Sequence, residues 1–228
     1  MLTLAMELST DQGSLAILNG REAIAEQAWH EKNVRHQHLF KALPELLNRA
    51  GIRLEQVDLF AAGRGPGNYS GLRVAITTAQ ALALPGNKKV FAVSSGEALA
   101  AELLADRSPS ALAIIGDARR DSLWYALFEK QDEGIVQKRP WSLARLEDLG
   151  RALPAGCLAA SPHYERLQAG LPWSGLGHVE WIRENRYPTA SRLGQQAVQK
   201  MELGLPSEEL TPIYMHPAVD PKNTNSGR

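Results

Sequence analysis

The sequence predicts an α/β fold in two lobes, each a mixed sheet flanked by helices. Three observations carry it. Three short apolar runs joined by turn residues open the chain, as antiparallel strands do. Helix and strand patterns then alternate as far as Leu104. The polar break Arg107-Ser108-Pro109-Ser110 is followed by a second, separate series of strands and helices.

Taken in order, Leu2–Leu8 is a short apolar strand, Ser9–Gly13 a turn, and Ser14–Leu18 its hairpin partner. Asn19-Gly20 is a strong hairpin signal, because both residues tolerate positive φ, so a third strand is expected over Arg21–Trp29. Leu39, Leu43, Leu46 and Leu47 recur at helical spacing within His38–Ala50, and Gly51 ends that helix. Val57–Ala62 reads as a buried strand. A glycine-rich loop, Gly63–Gly71, leads into a helix over Leu72–Leu84 that Pro85-Gly86-Asn87 stops. Val90–Val93 is a strand, and Ser94-Ser95 suits the cap of a helix over Gly96–Leu104.

Beyond the break, Ala111–Ile115 and Leu123–Phe128 are strands joined through Gly116–Arg120. Helices over Leu143–Arg151 and His163–Ala169 flank a short strand at Cys157. Tyr187-Pro188-Thr189 introduces a last helix, Ala190–Leu203. The lobes are therefore 1–107, completed by the helix at about 189–204, and 108–188. A polar tail, 217–228, is expected to be disordered. No tandem sequence repeat is visible.

Composition narrows the function classes. The 228 residues carry 25 basic and 25 acidic side chains. With no basic stripe among them, a direct grip on nucleic-acid phosphates is not indicated. The one cysteine, Cys157, lies in a small apolar run and has no partner for a disulfide or a CxxC site, so it reads as structural. Glu7 and Asp11 interrupt the first apolar segment; a signal peptide and a membrane span are not expected, and a cytoplasmic location is.

Candidate chemistry is sparse. Gly65, Gly67 and Gly71 let the backbone approach a partner closely after a strand. Ser70 or Asn68 can cap the next helix, whose first N–H groups suit an anion. The lysine of a P-loop is absent, so a rigid turn is the favoured reading of the loop and phosphate binding the second. His30-Glu31 lacks the second histidine of a zinc-binding H-E-x-x-H, and His36 and His38 stand two apart, on different sides of a helix. No serine sits in a nucleophile elbow. Asp117, Arg119, Arg120 and Asp121 form a charged turn, read as a solvated hairpin tip with local ion pairs.

Five segments in register resemble the TsaB (YeaZ) family. Gly65-Pro66-Gly67-Asn68-Tyr69-Ser70-Gly71-Leu72-Arg73 resembles its GPGSFTGLR signature, and Ala92–Ala100 its V-S-S-L-E-A-L-A segment. Gly116–Ala126 resembles D-A-R-R-x-E-V-Y, His38 with Leu43-Pro44 resembles H-S-x-x-L-L-P, and Pro212–Met215 the closing P-x-Y-L. The match runs from residue 1 to about 216.

The resemblance implies an actin-like, two-lobed ASKHA (ribonuclease H-like) fold. It implies a non-catalytic partner of TsaD, needed for N6-threonylcarbamoylation of adenosine-37 in tRNA, with tRNA met only through the complex. TsaE would be a further partner, and the self-association of family members through a related surface allows a homodimer of the isolated chain as well as a monomer. No tightly bound cofactor or metal is implied, with ATP or ADP at the junction of the complex. There Gly65, Pro66, Gly67, Asn68, Ser70, Gly71 and Arg73 would lie near nucleotide. His38, Leu39, Ala42, Leu46, Ile76, Ala79, Gln80 and Ala83 would face the partner. The metal-binding H-x-x-x-H of TsaD corresponds to Ser95–Leu99, which holds no imidazole. The usual D-T-S-T of the first strand is Glu7-Leu8-Ser9-Thr10 here, which weighs against autonomous ATP hydrolysis. The alternatives are a stand-alone actin-like ATPase or kinase, for which Glu7 and Asp117 are the acidic pair, and a glycoprotease-like peptidase.

Overall fold

The first sheet grows from local pairing. In a computed structural model that describes residues 1–31, 37–107, 109–119, 121–131 and 134–216, Leu2–Glu7 (β1) pairs antiparallel with Gln12–Asn19 (β2), Ala5 opposite Ala16. Gly20 takes φ +59° and returns the chain as Glu22–His30 (β3). Burial alternates strictly along β3, as an edge strand with one wet face requires. Leu59–Gly63 (β4) and Lys89–Val93 (β5) add in parallel, giving the order β3-β2-β1-β4-β5. β4 is buried along its whole length because both of its faces are covered.

Gln37–Ala50 (α1) and Tyr69–Ala83 (α2) cover one face, closing a core of Leu4, Met6, Leu15, Ile17, Phe60 and the inward stripes of both helices. Ser95–Leu103 (α3) and Ala190–Glu202 (α6) cover the other, where Leu193, Ala197 and Val198 pack on Ala5, Leu18 and Ala61. Ser94 caps α3 by accepting the Glu97 N–H.

Leu112–Arg119 (β6), Ser122–Gln131 (β7) and Gly134–Arg145 (β8) form an antiparallel meander. Leu158–Ser161 (β9) and Glu180–Asn185 (β10) add in parallel beside β6. Read from β8, the order β8-β7-β6-β9-β10 repeats that of the first sheet, β3-β2-β1-β4-β5. The duplication is one of topology and leaves no tandem repeat in the sequence. Alternate residues of β6 feed two cores: Leu112 and Ile114 meet α3, while Ala113 and Ile115 meet the short helices Leu149–Ala152 (α4) and Tyr164–Leu167 (α5) with their loops. This is the actin-like ASKHA architecture, two mixed-sheet lobes flanked by helices.

Three expectations need correction. The helix over Leu143–Arg151 is mostly something else: Leu143–Arg145 ends β8, and only Leu149–Ala152 is α-helical. β8 and β10 were not foreseen as strands. Second, Asp117 lies within β6 and is largely buried, pairing with Arg119 and Arg166, whereas Arg119 flanks the turn with φ +68° and an exposed side chain, as a hairpin tip requires. Third, Leu39, Ala42, Leu46, Ile76, Ala79 and Ala83 do not face a partner: all six lie in the first lobe's core. Helical spacing of apolar residues marks the face that turns inward. Of that set, Gln80 is exposed and His38 half-buried, its ring 6.5 Å from Trp29. His36, Arg120, Ser108 of the expected boundary and the tail 217–228 lie outside the described residues.

Candidate functional site

The glycine loop is held from three sides. Asn68 is the N-cap of α2 and accepts the Ser70 N–H at 3.2 Å. Its own N–H donates to the Ser9 carbonyl at 2.6 Å. The Gly65 N–H donates to Ser95 Oγ at 3.0 Å, while Ser94 Oγ donates to the Gly65 carbonyl at 3.1 Å. Three of the loop amides that an anion would need, those of Gly65, Asn68 and Ser70, are thus already used by protein acceptors, which favours the rigid-turn reading.

Close approach explains two glycines. A Cβ on Gly67 would stand 2.1 Å from the Ser9 carbonyl oxygen, and one on Gly63 would stand 2.1 Å from Glu7 Oε2. The Glu7 carboxyl is fully buried beneath the loop and accepts the Ser9 N–H at 2.6 Å. Burial raises its pKa, against the opposing hydrogen bonds of Ser9 and Ser95.

The loop forms one wall of a cleft of about 660 Å³ between the lobes. Ser9, Thr10 and Asp11 share that wall with Gly67, Asn68 and Tyr69. Asp117, Arg119, Trp124, His163 and Arg166 form the wall opposite. The Asp117 N–H donates to His163 Nδ1 at 3.0 Å, so the neutral ring carries its proton on Nε2. Burial, aided by the Arg166 charge, lowers the His163 pKa to about 4. Asp117 pairs with Arg166 at 3.0 Å and Arg119 at 3.5 Å. At the mouth Tyr69 stacks on Tyr214, centroids 5.2 Å apart, and Arg73 lies over the Tyr69 ring.

Of the seven loop residues singled out in the sequence, Gly67 and Asn68 line this cleft. Gly65, Pro66 and Gly71 are buried in the packing beneath it, and Ser70 and Arg73 are exposed on α2. Glu7 and Asp117 belong to different walls: Glu7 lies under the loop, and Asp117 faces two arginines. Sequence reasoning missed Trp124, His163 and Arg166, which no local pattern distinguishes; long-range pairing of β6 with β7 and β9 brings them together. Among the described residues no three His, Cys, Asp or Glu side chains gather as a metal site. Ser95 is occupied with Gly65, and Leu99 is buried in the second core. Nor, among the described residues, is a helix long and apolar enough to cross a membrane.

Comparison with known proteins places this geometry. The family described as "TsaD: tRNA N6-adenosine threonylcarbamoyltransferase" matches residues 31–178. The Escherichia coli K12 tRNA threonylcarbamoyladenosine biosynthesis protein TsaB is 28% identical over 138 residues, 59% of this chain and 58% of that protein. Its Haemophilus influenzae counterpart is 32% identical over 127 residues, covering 54% and 52%. The chain therefore spans little more than half the length of these curated relatives in the match. The crystal structure of YeaZ from Pseudomonas aeruginosa superimposes with a TM-score of 0.78 at 25% identity, covering 93% of this chain and 99% of that one. The duplicated sheets, the glycine loop closed on β1 and these matches agree, and the chain belongs to the TsaD family, in its TsaB (YeaZ) branch.

Proposed function

We propose that the chain takes part in making N6-threonylcarbamoyladenosine at position 37 of tRNA, as a non-catalytic partner of a TsaD protein. One observation supports this reading above the others. The stretch that resembles the metal-binding H-x-x-x-H of TsaD is Ser95–Leu99 here, and its two end residues are committed to packing: Ser95 holds the loop, Leu99 fills the second core. A self-sufficient transferase or peptidase would need ligands at those positions.

In this reading the partner meets the outward faces of α1 and α2. Phe40 is 64% exposed there and Leu84, just past the end of α2, 79%, large apolar side chains that water does not favour at a surface. Gln80 and Thr77 are exposed beside them. The same faces would serve a homodimer of the isolated chain. TsaE joins as a third component, ATP or ADP sits at the junction near Gly67 and Asn68, tRNA is held by the assembly, and the location is cytoplasmic.

Reconstitution tests the proposal. tRNA is incubated with TsaD, TsaE, a TsaC-type synthase, threonine, bicarbonate and ATP, with and without this chain, and modified adenosine is measured by mass spectrometry. Modification that depends on the chain is expected. Equal modification without it, or modification by the chain in the absence of TsaD, overturns the reading.

A further inference from the structure

The segment after α6 neither stays with one lobe nor hangs free. Ser207 Oγ accepts the Ala92 N–H at 2.9 Å, and Glu208 forms an antiparallel bridge with Ala92 on the outer edge of β5. The Glu208 carboxylate pairs with Lys200 at 3.1 Å and Arg64 at 3.2 Å. Arg64 Nε donates to the Thr211 carbonyl at 3.0 Å, and the Ile213 N–H donates to the Arg64 carbonyl at 2.7 Å. Tyr214 then stacks on Tyr69 at the start of α2. Up to this point every anchor belongs to the first lobe or to α6.

The next two residues cross over. Met215 packs against the second lobe's core with Trp124 and Phe128, and His216 hydrogen-bonds the Ala118 carbonyl at 2.7 Å through Nε2. Ile213, Tyr214, Met215 and His216 all line the cleft. We infer that residues 207–216 are a strap: fastened to the first lobe, it latches onto the second through Met215 and His216, and the latch must release for the cleft to open.

The asymmetry of the anchoring carries the inference. Seven polar or aromatic contacts fix the strap on one side, so it cannot leave the first lobe without breaking a sheet bridge and a partly buried ion-pair network. One hydrogen bond and one flexible methionine hold the other side, and such contacts break at small cost. Besides the strap, α3 joins the lobes where Gly96 lies against the Trp141 ring of β8, and β3 meets the second lobe where the His30 ring stands 5.8 Å from that of Tyr187. A joint and a latch are what a cleft of two lobes needs to open and shut. The inference is independent of the function proposed above.

Hydrogen exchange of the full chain tests it. Reporter amides are those of Asn68 and Asp117, which are hydrogen-bonded on opposite walls of the cleft. In the double variant Met215→Ser/His216→Ala, both are expected to exchange about tenfold faster, with amides of β4 unchanged. In Arg119→Cys/His216→Cys joined by a short thiol cross-linker, both are expected to exchange more slowly than before cross-linking. The native Cys157 does not interfere, because it is buried and burial raises its thiol to about 11. Unchanged reporter rates in the released variant, or a rise shared equally by β4, overturn the inference. Should that variant fail to fold, the cross-linked one decides alone: no slowing overturns it.

Discussion

Glu7 and His163 are the two titrating groups whose surroundings depart most from water near the cleft, and they act in opposite senses. Burial raises the Glu7 pKa, so the unfolded chain loses this proton first as pH rises. Stability from this group is whole below the ordinary carboxylate value and falls as pH climbs through the raised one. Glu7→Gln keeps an oxygen for the Ser9 N–H and removes the charge. It is expected to match the parent below about pH 4 and to exceed it in stability near pH 7, read from urea unfolding across that range. His163, lowered to about 4 from 6.5, contributes stability that is present above pH 6.5 and lost as pH falls toward 4. The two effects overlap in one pH window, which is why the Glu7 measurement is made as a difference from the parent chain. Neither was legible from sequence. A glutamate in an apolar strand announces itself, but whether it is solvated depends on Gly63 and Ser95, which are 56 and 88 residues away in the chain.

Among the elements, those with strong local signals were legible and those set by distant pairing were not. The β2–β3 hairpin, α1, α2, α3 and α6 follow from an Asn-Gly turn, helical spacing and serine or asparagine caps, and each lies within a few residues of its expected bounds. β8 is a solvent-facing edge strand whose run Gln137–Pro140 is exposed, so alternation is missing there. Leu143, Leu146 and Leu149 sit three apart and imitate a helix. β10 buries Ile182 and little else. The partner-facing set implied by the resemblance fell instead largely on the inward faces of α1 and α2, which the apolar spacing itself marks. A paired measurement separates the two sides. Leu46→Ala, in the core, is expected to cost about 2–5 kcal/mol in denaturant unfolding. Leu84→Asp, on the surface, is expected to change stability by about 0.5 kcal/mol or less, yet to abolish co-purification with the cognate TsaD. Retained co-purification would remove this face from the proposed interface.

At the scale of the whole molecule, the first lobe is built from two distant stretches of sequence, β1–β5 with their helices and then α6. α6 returns from beyond the second sheet to lie on β1 and β2, where the Ala190 N–H donates to Ser14 Oγ at 2.9 Å and Gly194 brings the helix against Leu18 and Ala5. One face of the first sheet, shared by α3 and α6, is therefore fully covered only once residues 190–202 are in place, whereas the core around Ala113, Ile115 and Leu149 uses residues 111–181 alone. A chain ending at Pro188 is expected to protect amides of β6 and β7 from hydrogen exchange while those of β1 and β2 exchange freely; equal protection of both would contradict this. The feature has a consequence for synthesis. On the ribosome the strands that emerge first must wait, half-covered, while the later-born lobe is made and can settle ahead of them. Order of emergence and order of completion are reversed, and the apolar underside of β1 and β2 is the surface that a chaperone would have to shield in the interval.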